Sequence, residues 1–248
     1  MLVTGASGNL GGELARQLAC EGVHLSLWGR DRGRLEATAA ACRARGAKVA
    51  VRIIDLADVN AACAAFDAED EAVRFAVVLL VAGQGDTLAP GAVIEDAAQV
   101  ARQCHLNFTA TAALAAQVAA RMCARAGGKI GIIGSAAAAH ALPFAPSYAA
   151  SKAGLARFAD ALRLAARPHQ VNVTLATPGF IAADPALAPR PARPMEISAE
   201  RAARAIIKAV QAGAPERVVP RWFGLLKWFD RALPRRLRDG LLSALPRP

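Results

Sequence analysis

Short apolar runs rich in β-branched residues alternate along this sequence with longer, alanine-rich amphipathic stretches. The runs span residues 2–4, 23–28, 49–54, 76–81, 129–134 and 171–176, with a candidate last run at 217–219. Their hydrophobicity is continuous, which is typical of strands covered on both faces of a parallel sheet. Because strand and helix alternate throughout, the chain is predicted to form a single α/β domain with a doubly wound parallel sheet and helices on both faces.

Composition supports one folded domain and excludes several other classes. The 248 residues are 54% hydrophobic and 20% charged, enough for one sizeable core, so disorder, a collagen repeat and a disulfide-stapled miniprotein are excluded. The five cysteines are odd in number and widely spaced, which predicts neither a disulfide framework nor a zinc site. We expect reduced thiols, a cytoplasmic location, no signal peptide and no membrane-spanning helix.

Two regions interrupt the alternation. Residues 178–194 contain five of the fourteen prolines, which predicts an irregular loop. A predicted helix at about 198–212 follows, and the chain then ends in a basic segment. We therefore divide the chain into a folded domain over residues 1–220 and an amphipathic helical tail over residues 221–248.

A glycine-rich turn links the first predicted strand to a helix. Its sequence is Thr4-Gly5-Ala6-Ser7-Gly8-Asn9-Leu10-Gly11. Small residues let the backbone approach a pyrophosphate, and the N-terminus of the helix supplies free N–H groups. The spacing is GxxGxxG and not GxGxxG, so the turn alone fits a dinucleotide site and a turn without a ligand about equally well. Together with the alternation it predicts a Rossmann-type sheet.

Arginine follows the second predicted strand. Arg30 is the first charged residue after the strand, and Arg32 and Arg34 come close behind. An arginine there accommodates the 2′-phosphate of NADP(H), so we favour NADP(H), while Asp31 would favour NAD(H) if it faced the ribose. Asp55, after the third strand, could accept a hydrogen bond from an adenine amino group or cap the following helix.

The only tyrosine of the chain, Tyr148, precedes Lys152 by four residues. On a helix these positions share a face, so the ammonium group would lie beside the phenol. A neighbouring cation stabilises phenolate and would lower the tyrosine pKa from about 10 towards neutrality, as a general acid or base requires. Ser135 ends the fifth predicted strand and therefore lies on the ligand side of the sheet.

In their order and placement these motifs resemble the short-chain dehydrogenase/reductase family over residues 2 to about 217. Ser135, Tyr148 and Lys152 match the catalytic serine and the YxxxK pair of the family, and Asn107 matches its asparagine in the preceding helix. The resemblance implies that Tyr148 exchanges a proton with the substrate oxygen and that Ser135 holds that oxygen. It also implies that Lys152 binds the nicotinamide ribose and that Asn107 keeps a water in the proton relay.

The resemblance also implies where cofactor and substrate bind. The expected cofactor residues are Gly5, Ser7, Gly8, Asn9, Leu10, Gly11, Arg30, Asp55, Leu56, Ala82, Gly83, Tyr148, Lys152, Pro178, Gly179 and Ile181. The expected substrate residues are Ser135, Leu142, Phe144, Tyr148, Phe180 and Leu187. The apolar character of these positions and of the tail suggests a lipid-like, steroid-like or acyl ketone or alcohol. The family commonly forms homodimers and homotetramers.

Three positions depart from the family pattern. The TGxxGxxG spacing is closer to the extended subclass of the family, the fourth-strand NNAG motif reads Leu80-Val81-Ala82-Gly83, and the threonine usual after Pro-Gly is replaced near Ala182 or Ala183. Two alternatives to an oxidoreductase therefore stay open. One is a membrane-associated relative that binds NADP(H) without chemistry, and the other, carried by the glycine spacing alone, is a nucleotide-sugar epimerase or dehydratase.

The net charge of +10 is concentrated at the end of the chain, where residues 215–248 carry +5. A first tail helix places Trp222, Phe223, Leu225, Leu226, Trp228 and Phe229 on a broad arc opposite Lys227 and Arg231. Pro234 ends it, and Leu237, Leu241 and Leu245 continue the apolar stripe in a second helix. The tail fits an anionic membrane surface on the cytoplasmic side, or a cover over the substrate pocket or a subunit interface. An acidic acyl-carrier protein would also suit the arginines, whereas a shared apolar stripe argues against nucleic acid.

Overall fold

A computed structural model of the chain describes residues 1–85, 87–89, 91–182, 195–225 and 232–244. Its seven described strands are β1 Leu2–Thr4, β2 His24–Gly29, β3 Lys48–Ile53, β4 Val77–Leu80, β5 Gly128–Ile133, β6 Val171–Pro178 and β7 Glu216–Val219. They form one sheet in the order β3-β2-β1-β4-β5-β6-β7, and all neighbours are parallel. The predicted strands and the doubly wound sheet are confirmed, including the candidate last strand.

Eight α-helices are described: α1 Asn9–Leu18, α2 Arg32–Arg43, α3 Val59–Val73, α4 Ala97–Cys104, α5 Thr111–Ala124, α6 Pro146–Ala166, α7 Ala199–Gln211 and α8 Arg235–Ser243. A π-helical segment, His105–Ala110, joins α4 to α5, and 3-10 turns occur at Ala136–Ala139 and Arg167–His169. The helix predicted at 198–212 is α7, and α8 begins directly after Pro234, as expected. Within the described ranges, no helix has the length and hydropathy needed to cross a membrane.

Each face of the sheet carries its own core because successive strand residues point to opposite sides. Leu2 and Val78 belong to one core, which packs against α3, α5 and α6, whereas Val3 and Leu79 belong to the other, which packs against α1, α2 and α7. The helices contribute Phe66, Leu114 and Leu155 to the first core and Leu14, Leu35 and Ile206 to the second. Burial on both sides accounts for the continuous hydrophobicity of the inner strands, whereas the edge strand β3 contains no buried residue.

The strand order reverses between β1 and β4, and the loops that follow these two strands meet there. Gly5 has a φ of +65°, and a Cβ at this residue would lie 2.9 Å from the backbone of Ala82. The Thr4 hydroxyl accepts hydrogen bonds from the backbone N–H groups of Val81 (3.0 Å) and Ala82 (3.3 Å). Thr4 thus ties the fourth strand to the first where the usual asparagines are missing. In a doubly wound sheet, this switch point is where ligands bind.

Candidate active site

A cavity of about 350 Å³ opens at the switch point of the sheet. Most of the predicted cofactor residues line it: Gly5, Ser7, Gly8, Asn9, Leu10, Gly11, Arg30, Asp55, Leu56, Ala82 and Gly83. Five further lining residues were not predicted: Gly29, Arg34, Ile54, Val81 and Leu106. Gly29, Ile54 and Val81 lie at or directly after the ends of β2, β3 and β4, which was a usable signal, whereas Arg34 lies in α2 and Leu106 in the π-helical segment. Tyr148, Lys152, Pro178, Gly179 and Ile181 do not line this cavity.

The glycine turn and the end of β2 are packed so closely that a side chain at either of two glycines would clash with neighbouring atoms. A Cβ at Gly11 would lie 2.2 Å from the carbonyl oxygen of Gly5, and one at Gly29 would lie 2.8 Å from the Ser7 hydroxyl. α1 begins after Gly8, and among the described residues no side chain caps it. The N-terminal N–H groups of α1 therefore face the cavity without a competing side-chain acceptor, and the cradle fits the pyrophosphate of a dinucleotide.

Asp31 is held by the start of α2. Its carboxylate accepts hydrogen bonds from the backbone N–H (3.0 Å) and the side-chain Nε (2.8 Å) of Arg34, and these bonds lower the pKa of Asp31 below its usual value. Arg30, by contrast, has a side chain that is 64% exposed. Arg30 and Arg34 line the cavity, whereas Asp31 does not. Of the charged residues directly after β2, the two that line the cavity are therefore basic.

Asp55 also lines this cavity, next to Arg30. One carboxylate oxygen is 4.0 Å from an Arg30 guanidinium nitrogen, and the other accepts a hydrogen bond from the backbone N–H of Ala57 at 3.0 Å. The following helix, α3, is capped by Asp58, which accepts from the N–H of Ala61. The alternative that Asp55 caps this helix is therefore wrong, because Asp55 precedes the cap by three residues.

Ser135 and Tyr148 meet at the carboxyl edge of the sheet. Ser135 follows β5 and starts the first 3-10 turn, where its hydroxyl accepts from the N–H of Ala137 at 3.2 Å. Tyr148, in the first turn of α6, is partly exposed, yet burial of its hydroxyl raises the tyrosine pKa above 10. The neighbouring Ser135 hydroxyl acts in the opposite direction, because a donor beside the phenol stabilises the phenolate.

Lys152 is almost entirely buried, with 4% of its surface exposed. Its Nζ donates a hydrogen bond to the carbonyl oxygen of Ile133 at 3.0 Å. Burial lowers the pKa of Lys152 from 10.5 to about 8. The expectation that Lys152 brings the pKa of Tyr148 towards neutrality is wrong for this structure, because both groups are buried and burial favours the neutral form of each.

Asn107 is fully buried in the π-helical segment. Its Oδ1 accepts from the backbone N–H of Gln84 at 2.8 Å, and its Nδ2 donates to the Gln84 carbonyl (2.9 Å) and to the Ser151 hydroxyl (3.3 Å). A Cβ at Gly83 would lie 3.1 Å from both Asn107 Oδ1 and Lys152 Nζ. The structure thus brings the four predicted catalytic residues together, and the Asn107 side chain holds the loop after β4.

Two residues near Tyr148 escaped the sequence-based prediction. Glu95, only 7% exposed, accepts a hydrogen bond from the backbone N–H of Ser147 at 3.0 Å. This N–H belongs to the first turn of α6, which begins after Ala145 and has no side-chain cap from that residue. Gly85 packs beside the Tyr148 ring, since a Cβ added at Gly85 would lie 3.8 Å from Cε2 of that ring. Neither contact has a local sequence signal, since a lone acid or glycine in a loop is common.

Aromatic side chains from the tail cover the segment after β6. Phe223 is buried, its ring stacks on Trp222 at 4.2 Å, and it meets Phe180 edge to face at 6.3 Å. A Cβ at Gly179, which follows Pro178 at the end of β6, would lie 2.5 Å from the Phe223 ring. The first residues of the tail therefore cover Gly179, one of the expected cofactor residues, and contact Phe180, one of the expected substrate residues.

The structure describes only some of the remaining predicted substrate and tail residues. Leu142 and Phe144 are partly exposed in the segment between Ser135 and Tyr148, and Ile181 forms a bridge with Ile197. The predicted substrate residue Leu187, with the rest of 183–194, lies outside the described residues. So do the tail residues Leu226, Lys227, Trp228, Phe229, Arg231 and Leu245.

Comparison with known proteins places these observations in a family. The family model for short chain dehydrogenases matches residues 1–191. Dehydrogenase/reductase SDR family member 7B of Bos taurus is 32% identical over 188 residues, which cover 73% of this chain and 57% of that protein. This chain therefore spans less than three fifths of that relative.

Two solved structures share the fold over almost the entire chain. The bulky-bulky ketone specific alcohol dehydrogenase of Comamonas testosteroni superposes with a TM-score of 0.80 at 25% identity, covering 99% of this chain and 94% of that one. A short-chain dehydrogenase of Sphingobium yanoikuyae in complex with NADPH gives 0.79 at 26% identity, with 99% and 95% coverage.

Proposed function

The chain belongs to the short-chain dehydrogenase/reductase family, and we propose that it is an NADP(H)-dependent oxidoreductase that interconverts a carbonyl group and a secondary alcohol on a hydrophobic substrate. The observation that carries this proposal is that the Ser135 hydroxyl lies near the phenol of Tyr148, which is on the same helix as the buried Lys152 and close to the glycine-lined cavity. A paired serine and tyrosine can hold a substrate oxygen and exchange a proton with it.

Tyr148 is the proposed acid and base. Burial raises the pKa of its phenol, so the protonated form of Tyr148 can donate a proton to a carbonyl oxygen in the reductive direction. Ser135 holds that oxygen, and Lys152 binds the nicotinamide ribose. When bound, the reduced cofactor supplies the hydride that adds to the carbonyl carbon. Tyr148 then completes the alcohol with its proton, and Asn107 supports the relay that restores it.

The proposed cofactor is NADP(H), with NAD(H) as the weaker ligand. The glycine turn would hold the pyrophosphate, and Arg30 would meet the 2′-phosphate, since Asp31 is bound to Arg34. Gly179 and Ile181, which follow β6, would lie beside the nicotinamide. The NADPH complex of the Sphingobium yanoikuyae protein supports this choice.

Titration of cofactor fluorescence tests the preference. Wild-type protein should bind NADPH roughly tenfold or more tightly than NADH, because a charged hydrogen bond contributes about 1.5–3 kcal/mol. Arg30→Ala should weaken NADPH binding and leave NADH binding unchanged. Arg32→Ala is the matched control, since Arg32 is exposed and does not line the cavity. Equal affinity of the wild type for both cofactors would exclude this preference.

The proposed substrate is a bulky hydrophobic ketone or its alcohol, of lipid, steroid or acyl type. Phe180, Phe223 and Trp222 form an apolar cluster beside Gly179, and Leu142 and Phe144 flank the segment that leads to Tyr148. The Comamonas testosteroni relative is specific for bulky-bulky ketones. The acidic surface of an acyl-carrier protein is a further proposed partner, which would present an acyl ketone to the site.

A ketone panel tests the reaction. Purified protein should oxidise NADPH with several bulky ketones that carry two large substituents, and more slowly with acetone as the small reference. The Ser135→Ala variant, which lacks the hydroxyl proposed to hold the substrate oxygen, should lose this turnover and is the negative control. Turnover of the small ketone alone would overturn the substrate proposal, and no turnover with any ketone, despite NADPH binding, would overturn the reaction.

A second candidate is the membrane-associated relative that binds NADP(H) without chemistry. The observation in its favour is that Lys152 does not lower the pKa of Tyr148. Binding of NADPH without oxidation across the ketone panel would support it.

The remaining proposals concern assembly and location. As in the family, we expect a homodimer or homotetramer, which light scattering of the purified protein tests. All five cysteines lie in described segments and are free, in keeping with a reducing compartment such as the cytoplasm.

A further inference from the structure

Large exposed apolar side chains gather in the loops at the carboxyl edge of the sheet. We call the following six the apolar rim: Val93, Ile94, Phe180, Met195, Trp222 and Leu225. Val93 and Ile94 are 77% and 79% exposed, and the other four are between 37% and 64% exposed. They follow β4, β6 and β7, whose carboxyl ends point to the same edge. A gathering of exposed apolar side chains on one edge indicates an interaction surface.

Contacts connect the apolar rim to the candidate active site. In the loop after β4, Leu88 donates a backbone hydrogen bond to the carbonyl of Phe144 at 3.0 Å, and Gly85 packs beside Tyr148. Phe180 touches Phe223, which covers Gly179. Phe180 and Phe223 therefore lie beside Gly179, and the loop that leads to Val93 and Ile94 lies beside Tyr148, so a partner that covers this edge of the sheet also approaches the candidate active site.

The second half of the tail adds a basic helix with an exposed apolar side. Leu237 and Leu241, one turn apart on α8, are 60% and 61% exposed, and no residue of Arg235–Ser243 is buried. Arg235, Arg236 and Arg238 flank them. A nine-residue helix without a fully buried residue gains little stability in water. α8 therefore has the composition and exposure of a helix that is stabilised by a partner.

We propose that the apolar rim and α8 together dock on an anionic lipid bilayer, with the mouth of the site turned towards the lipid. Apolar side chains beside clustered arginines match an acyl region below anionic headgroups. A second copy of this chain fits less well, because it would present the same basic helix, whereas an anionic bilayer neutralises the arginines. Docking itself does not depend on the reaction, and only the entry of a lipid substrate from the bilayer rests on the proposed function.

Co-sedimentation with vesicles, without cofactor or substrate, tests the docking. The full chain should bind vesicles of phosphatidylglycerol and phosphatidylcholine, bind pure phosphatidylcholine weakly, and lose binding as salt is raised. The double variant Arg235→Gln/Arg236→Gln should reduce binding about 30-fold, since each arginine near the surface contributes about fivefold. The variants Leu237→Asp/Leu241→Asp and Val93→Asp/Ile94→Asp should also lose at least about tenfold.

Leu164→Asp is the matched control. Leu164 is also 60% exposed, but it lies near the end of α6, at the opposite edge of the sheet, so the variant should bind vesicles like the wild type. Circular dichroism and NADPH binding verify that each variant is folded. The proposal is overturned if the wild type does not sediment with anionic vesicles, or if Leu164→Asp weakens binding as much as the α8 and rim variants. Binding to an acidic acyl-carrier protein without vesicle binding would also overturn it and would favour that protein as the partner.

Discussion

At the scale of single residues, Glu95 is a distant side chain that contacts the first turn of α6, the helix that carries the proposed acid and base Tyr148. Its carboxylate takes the place of a helix cap for α6, 52 residues further along the chain, at the N–H directly before Tyr148. Its second oxygen has no hydrogen-bond partner among the described residues. Glu95 is therefore a positioning residue, which acts on Tyr148 only through the first turn of α6.

Removing the Glu95 carboxylate should affect turnover more than cofactor binding. Glu95→Ala leaves a buried N–H unpaired, which costs about 1–3 kcal/mol in the free energy of unfolding. We expect kcat to fall severalfold with little change in KM for NADPH, and Glu95→Gln, which keeps an acceptor, to restore most of kcat. Steady-state kinetics and denaturant unfolding measure both effects.

Asp96→Ala is the matched control for Glu95. Asp96 caps α4 by accepting from the N–H of Gln99, so its loss should cost about 1 kcal/mol in stability without lowering kcat. An equal fall in kcat for Asp96→Ala and Glu95→Ala would show that general destabilisation, and not the position of Tyr148, explains the effect.

The pKa of Lys152 makes a prediction about pH and stability in the absence of cofactor. Its pKa is about 8 in the folded protein and 10.5 as the ordinary value, so between these pH values the unfolded chain binds more protons than the folded one. The contribution of Lys152 to the free energy of unfolding must therefore rise with pH across this window. Well below pH 8, Lys152 is protonated in both the folded and the unfolded chain, and burial of its charge lowers the free energy of unfolding by the full amount.

Comparing Lys152→Met with the wild type isolates this effect. The stability of the variant relative to the wild type should fall by about 2 kcal/mol between pH 7 and pH 10, as measured by denaturant unfolding. Tyr148 titrates above this window, since its pKa is raised. Lys48→Met, at an exposed position, should show no such trend. A difference between Lys152→Met and wild type that stays constant with pH would contradict the lowered pKa.

At the scale of elements, the glycine turn was predictable from its sequence, but its tightness was not. GxxGxxG is compatible with a simple turn, whereas the structure shows that Gly11 packs against the carbonyl oxygen of Gly5. The π-helical segment that carries Asn107 also lacked a sequence signal, because its residues have ordinary helix propensities. The loop after β4, which Asn107 holds through the backbone of Gln84, completes a site that no single motif describes.

Gly11→Ala tests the packing of the turn. The added methyl would lie 2.2 Å from the Gly5 carbonyl oxygen, so the backbone must shift. We expect the free energy of unfolding to fall by about 1–3 kcal/mol and NADPH binding to weaken by an order of magnitude. Gly33→Ala, in the first turn of α2, is the control, because only the Asp31 side chain comes within 4 Å of its Cβ. If both variants behaved alike in calorimetry and cofactor titration, the turn would not be the cradle.

At the scale of the whole molecule, sequence predicted the strands and the helical layers but not the order of the sheet. Continuous apolar runs identified residues buried on both faces, as Leu2 and Val3 show. The neighbours of β1 depend on long-range pairing, which no local pattern contains. The opposed pKa shifts of Tyr148 and Lys152 likewise follow from burial, which only the assembled fold determines.

The central claim is that Tyr148 transfers the proton while separate residues hold the cofactor. Tyr148→Phe, measured by NADPH oxidation with a bulky ketone and by NADPH titration in parallel, tests it most directly. We expect Tyr148→Phe to lower turnover at least about a hundredfold and to leave the affinity for NADPH nearly unchanged. Turnover within a few fold of the wild type, with the same cofactor affinity, would contradict it.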